Sequence, residues 1–167
     1  MSSFRAYFLL GILAILSSCG FQPLYGGAEN AAINQQLARI QIRSIEENLG
    51  QEVHNFLLDR LNSSGRRDKP LFTLDVNLTV VNEEIALKVT EEATRAKLSL
   101  ILKYILRDNS SGDILSEGTI RSVSGYNISN SEFTRMASES DARERASRDV
   151  ADEIKTRLSL YFSQRDT

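Results

Sequence analysis

The chain has 167 residues, of which 41% are hydrophobic and 25% charged. That is enough for one folded domain with a sizeable core, and it excludes a disordered chain. A formal net charge of −2 and an isoelectric point near 5.5 give no basic field for phosphates, so no nucleic-acid partner is expected. A single Cys excludes an internal disulfide, and with a single His it excludes any multi-cysteine metal site; neither a metal nor a cofactor is expected.

Residues 1–18 read as a signal peptide. Arg5 gives a short positive lead, and Tyr7–Leu16 is an apolar run of ten residues, too short for a bilayer, which takes about 20. Leu16, Ser17, Ser18 and Cys19 then follow the pattern of a bacterial lipobox: a leucine, two small residues, and the cysteine. In that class of signals the thiol takes a diacylglycerol as a stable thioether, the chain is cut before the cysteine, and the new amine is acylated. The expected covalent lipid is therefore S-diacylglycerol plus N-acyl on Cys19. A free thiol would be out of place in an oxidising compartment, which favours the lipid over an incidental cysteine. The sorting rule of the class, with Gly20 and not Asp after the cysteine, points to the periplasmic side of the outer membrane. One myristoyl-length chain binds only marginally, at about 0.8 kcal/mol per buried methylene, so stable anchoring needs about two or three chains.

Residues 19–36 read as a lipidated tether, with Gly20, Pro23, Gly26 and Gly27 breaking regular structure. Phe21, Leu24 and Tyr25 are apolar for a spacer. Residues 37–167 read as a single domain. Leu37–Ile45 alternates Arg39, Gln41 and Arg43 with Ile40 and Ile42, the pattern of a half-buried strand. From about Glu46 the period becomes helical through Val53, Phe56, Leu57 and Leu61, and Asn62–Gly65 ends the helix. Phe72, Leu74, Val76, Leu78 and Val80 alternate with polar residues in the clearest strand. Residues 94–106 follow with Ala96, Leu98, Leu100, Leu102 and Tyr104 on one face, and Arg107–Asp113 reads as a turn. Ile114–Tyr126 is a further strand. The tail is a helix through Ala142, Ala146, Val150, Ile154, Leu158 and Tyr161, capped by Ser140 or Asp141. Its outer face pairs Asp141 with Arg145, Glu144 with Arg148 and Arg148 with Asp152.

The order β-α-β-β-β-α predicts an α+β two-layer sandwich: a four-stranded, mostly antiparallel sheet with two helices on one face. The other sheet face carries Arg39, Arg43, Thr73, Asn77, Thr79, Lys97, Ser99, Ile101, Lys103, Ile105 and Arg121. It is either a wet antiparallel face or a surface for a protein or an anionic amphiphile.

Catalysis finds no footing. His54 reads as a helix-border residue, and there is no nucleophile elbow, phosphate loop or dinucleotide fingerprint. Glu83–Glu84 and Glu91–Glu92 are adjacent acids, which alternate faces along a strand and so make no acid pair alone.

Several motifs recur together in one family. "CGFQPLYG" (Cys19–Gly26) resembles the mature start of the LPS-assembly lipoprotein family LptE. Tyr104, Leu106, Asp108, Gly112, Gly118 and Tyr126 resemble its strand–turn–strand pattern, and Asp141, Ala142, Arg145 and Ala146 its last helix. The resemblance implies a non-enzymatic lipoprotein that assists assembly of a large outer-membrane β-barrel, LptD, plugs it, and contacts lipopolysaccharide (LPS) on its way to the surface. The candidate LPS or partner face, taken from the residue pattern, is Arg95, Lys97, Lys103 and Arg121. Two other readings stay open: an accessory lipoprotein of another envelope lipid-transport complex, and an envelope hydrolase acting through Glu83 or Glu92.

Overall fold

A computed structural model describes residues 28–46, 48–62, 65, 69–85, 94–129 and 131–165. The signal peptide, Cys19, the "GFQPLYG" segment and Glu91–Glu92 lie outside them. Met1–Ala31 and Ala32–Thr167 form separate units, and the description below concerns the second.

The alternating run after Pro70 forms β2 (Phe72–Ile85), the apolar run after it β3 (Thr94–Asp108), and the serine-rich segment β4 (Ile114–Ile128). They pair antiparallel as a meander, with Leu78 opposite Leu102 and Leu102 opposite Ile120. The β3–β4 turn is built from its own side chains: Asp108 accepts from the Ser110 N–H at 2.8 Å, and Gly112 takes a φ of 79°, open to glycine at little cost. The first strand, β1 (Ile40–Ile42), is shorter than its alternating pattern, and it runs parallel to β2, with Ile40 opposite Phe72. The sheet is therefore mixed, not mostly antiparallel. The cause is the helix between the two strands. It carries the chain back along the sheet, so β2 starts from the same end as β1.

That helix is α2 (Asn48–Leu61), which ends just before the expected stop at Asn62–Gly65. A helix the sequence reading did not foresee precedes β1: α1 (Ala28–Leu37). The lead-in was expected to be irregular, but Ala and Gln favour helix, and Ile33 and Leu37 are spaced to pack one face on the core. The last helix, α3 (Glu132–Arg165), starts well before its apolar stripe. Ser140 and Asp141 are thus inside the helix and cap nothing. The Ser131 carbonyl accepts the Arg135 N–H at 3.0 Å instead. The first turns of α3 hold by the ion pairs Glu132–Arg135 and Glu139–Arg143, while Phe133 and Met136 stay exposed.

The core lies between one sheet face and α2 and α3. Leu98, Leu100, Leu102 and Leu106 meet Val53, Leu57 and Leu61 from α2 and Val150, Ile154 and Leu158 from α3. Phe162, not Tyr161, is the fully buried aromatic near the helix end, 5.2 Å from Phe72 between ring centroids. Gly50 lies early in α2 because a Cβ there would come within 2.7 Å of Ile45. Between the helices, Arg60 binds Asp152 at 2.6 Å, and Arg60 and Arg148 stack over Phe56. Arg148 pairs with Glu144, so the expected Arg148–Asp152 pair gives way to the contact between helices.

At the same seam, burial raises the Glu52 carboxyl above its ordinary value, with Glu144 adding to the shift, and its Oε1 has no hydrogen-bond partner. A raised carboxyl favours folding when protonated, so this group costs stability increasingly as pH rises above its unfolded value. Glu52→Gln is expected to raise the melting temperature at pH 7, with the gain shrinking as pH falls towards 4. A gain that is constant with pH would mean that ionisation is not the cause.

Candidate interaction face

The second sheet face faces away from α2 and α3. The register sets its rows: Asp75–Ile105–Glu117, Asn77–Lys103–Thr119, Thr79–Ile101–Arg121, Val81–Ser99–Val123, Glu83–Lys97–Gly125 and Ile85–Arg95–Asn127. Side chains alternate along a strand, so every residue that the sequence placed on this face from Thr73 onward is there. Ile101 and Ile105 are only half-exposed. Ser99 is fully buried, a small residue set between Val81 and Val123, with the Arg121 guanidinium donating to its hydroxyl at 3.1 Å.

The four candidate cations form two pairs, not one cluster. Arg95 and Lys97 stand two residues apart at the end of the β2–β3 pair where β2 finishes at Ile85 and β3 begins, about 7 Å by strand geometry. They line a shallow groove of about 470 Å³ with Ile85, Val123 and Asn127. Lys103 and Arg121 lie diagonally further down the sheet, in neighbouring rows. Lys97 faces Glu83 at 3.9 Å, and Arg121 is held by Ser99. Arg95 and Lys103 make no ion pair among the described residues. Below them Asp75 is held by two cations, Arg43 at 3.1 Å and Arg107 at 3.4 Å. Among the four candidates only Lys97 thus has an acid beside it; Arg95, Lys103 and Arg121 carry charges that no described carboxylate pairs with.

His54 sits half-buried in α2 with Nδ1 unpartnered. Among the described residues there is no group of acids and imidazoles that could hold a metal, and no helix long and apolar enough to cross a membrane. Sequence reasoning placed Arg145 in a surface pair with Asp141 and did not single out Arg157. From α3 they donate to the carbonyls of Gly125 and Thr119 on β4, at 3.2 and 3.3 Å. On a helical wheel they belong to a charged stripe with Asp149 and Glu153, which in sequence looks like an ordinary solvated face.

The LptE family, described as lipopolysaccharide-assembly, matches residues 28–158, from α1 almost to the end of α3. The chain belongs to the LptE lipopolysaccharide-assembly family. Its role lies in lipopolysaccharide assembly, as an envelope-associated lipoprotein. Three solved structures share the fold of this LptE-family chain. A protein described as a lipoprotein from Caulobacter crescentus CB15 is 18% identical, with a TM-score of 0.67 over 80% of this chain and 97% of its own. A minor lipoprotein from Acinetobacter baumannii is 18% identical, with a TM-score of 0.58 over 72% and 91%. The rare lipoprotein B from Shewanella oneidensis is 12% identical, with a TM-score of 0.57 over 77% and 98%. No curated protein sequence matches the chain.

Proposed function

We propose that this LptE-family chain is an outer-membrane lipoprotein, cut after Ser18 and lipidated on Cys19, that assists assembly of an LptD-like β-barrel and plugs it. Through that barrel it takes part in LPS transport to the cell surface, and it catalyses no reaction itself. The observation that carries the reading is the family match over residues 28–158, preceded in the sequence by a lipobox. In this reading the chain between Cys19 and α1 tethers the folded domain to the membrane.

The open sheet face supports the partner role. It combines half-buried isoleucines with cations, a surface suited to a barrel lumen or to the phosphates and acyl chains of LPS. Arg95, Lys97, Lys103 and Arg121 are the candidate contacts, and of these only Lys97 already faces a described acid, Glu83. Depleting the protein in its own cells is expected to lower surface LPS and leave the barrel misassembled. Normal surface LPS with a normal barrel would reject the reading. In mild detergent, the native lipoprotein should co-purify with one large outer-membrane barrel at about equal stoichiometry.

A further inference from the structure

The two edges of the sheet are finished differently. On β4 the carbonyls of Gly125 and Thr119 accept hydrogen bonds from Arg145 and Arg157, which reach across from α3. Backbone direction alternates along a strand, so Thr119, Arg121, Val123 and Gly125 share this outward direction, and two of their carbonyls are already occupied.

On the opposite side, β1 pairs only with Phe72–Leu74. The N–H of Arg43 closes that short ladder on the Leu74 carbonyl at 3.1 Å. Leu74 thereby marks the even positions of β2 as outward. Val76, Leu78, Val80 and Asn82 turn their N–H and C=O away from β3, and no described backbone group meets them. The free stretch presents Val76, Leu78 and Val80 on the helix side, with Val80 37% exposed, while its open side mixes Asn77 and Thr79 with Val81, 38% exposed. A long edge with exposed β-branched residues and no described partner is the surface onto which an extended segment adds as a further strand.

We propose that the β2 edge from Val76 to Asn82 receives an extended segment of the barrel partner, which pairs with it as a fifth strand. The inference rests on the barrel partnership proposed above. Charge selects this occupant over a second copy. Phe72–Ile85 carries Asp75, Glu83 and Glu84 and no basic residue, so pairing two copies sets acid against acid, whereas a foreign strand can place Lys or Arg beside Glu83. The strands of a closed barrel are already paired on both sides, so the donor is a loop or lumenal stretch of that chain, with β-branched residues flanking Val80 and Val81.

The test uses the full-length lipoprotein in its own cells. Val80→Pro removes an outward N–H and leaves the β2–β3 ladder its donors; Glu117→Pro, outside the groove of Arg95 and Lys97, does the same on the β4 edge. Both chains are checked for an unchanged fold by thermal melting. Val80→Pro is expected to lower the co-purified barrel at least tenfold, and Glu117→Pro to leave it within twofold of the native level. In a separate chain that needs no proline, benzoylphenylalanine in place of Asn82 is expected to cross-link to a barrel peptide. A folded Val80→Pro chain that holds the barrel as the native chain does overturns the strand addition and leaves the partnership standing. So does a position-82 probe that gives no barrel adduct or joins a second copy. If the native chain recovers no barrel, both proposals fall.

Discussion

In cells without the barrel partner, Cys19→Ala is expected to move the protein from the membrane pellet to the soluble fraction, a change of more than a hundredfold in partition. The argument is additive in methylenes. One chain of myristoyl length is only marginally bound, and about two or three chains at roughly 0.8 kcal/mol per buried methylene make release negligible. Nothing else described in the chain replaces that anchor, since no described helix is long and apolar enough to cross a bilayer. Fractionation of the mature protein after a carbonate wash measures it. A Cys19→Ala chain that stayed tightly bound in cells without the barrel partner would contradict lipid attachment. In cells that contain the barrel, the proposed partnership through the folded domain predicts that part of the variant still co-purifies with it.

Leu102→Ala is expected to cost about 2–5 kcal/mol of folding stability and to lower the melting temperature on the order of 10 °C. Leu102 is fully buried in the central strand, opposite Leu78 on one side and Ile120 on the other, and α2 and α3 lie over that face. Truncation leaves a cavity that three packed elements cannot collapse without moving the sheet. Its neighbour Ile101 lies on the opposite face, half-exposed and covered by no described helix, and Ile101→Ala should cost less than half as much. Urea unfolding of the two variants decides the matter. Equal losses would mean that the open face is as closely packed as the helix side, and the interaction surface described above would not exist.

The meander was legible because its residues follow the simplest rule available. Leu74, Val76 and Leu78 alternate with polar neighbours, and Ala96 to Tyr104 alternate on one face, so both strands and their inward sides could be written from sequence. The open-face positions followed from the same alternation. The direction of β1 was not legible, because three residues of strand give no signal of polarity; it follows from α2 returning the chain to its starting end. α1 was hidden by neighbouring Asn and Gly, which outweighed its Ala and Gln. The start of α3 was hidden because Glu132–Ser140 carries no apolar stripe and is helical through ion pairs alone. The arrangement of the cations was half-legible. Alternation put Arg95, Lys97, Lys103 and Arg121 on one face, but only the cross-strand register shows that Glu83 and Ser99 engage two of them.

The parallel pairing of β1 with β2 also orders the assembly of the domain in time. β2, β3 and β4 each pair with the strand next to them in sequence, and α3 follows directly on the strand it packs against, so these contacts form at small loop-closure cost. Ile40 can meet Phe72 only after the whole of α2 has been threaded between them. The segment from α1 through α2 is therefore the last to dock on a preformed half-core, held by a three-residue ladder and the seam between α2 and α3. It is also the part of the domain that can lift away while the meander stays intact.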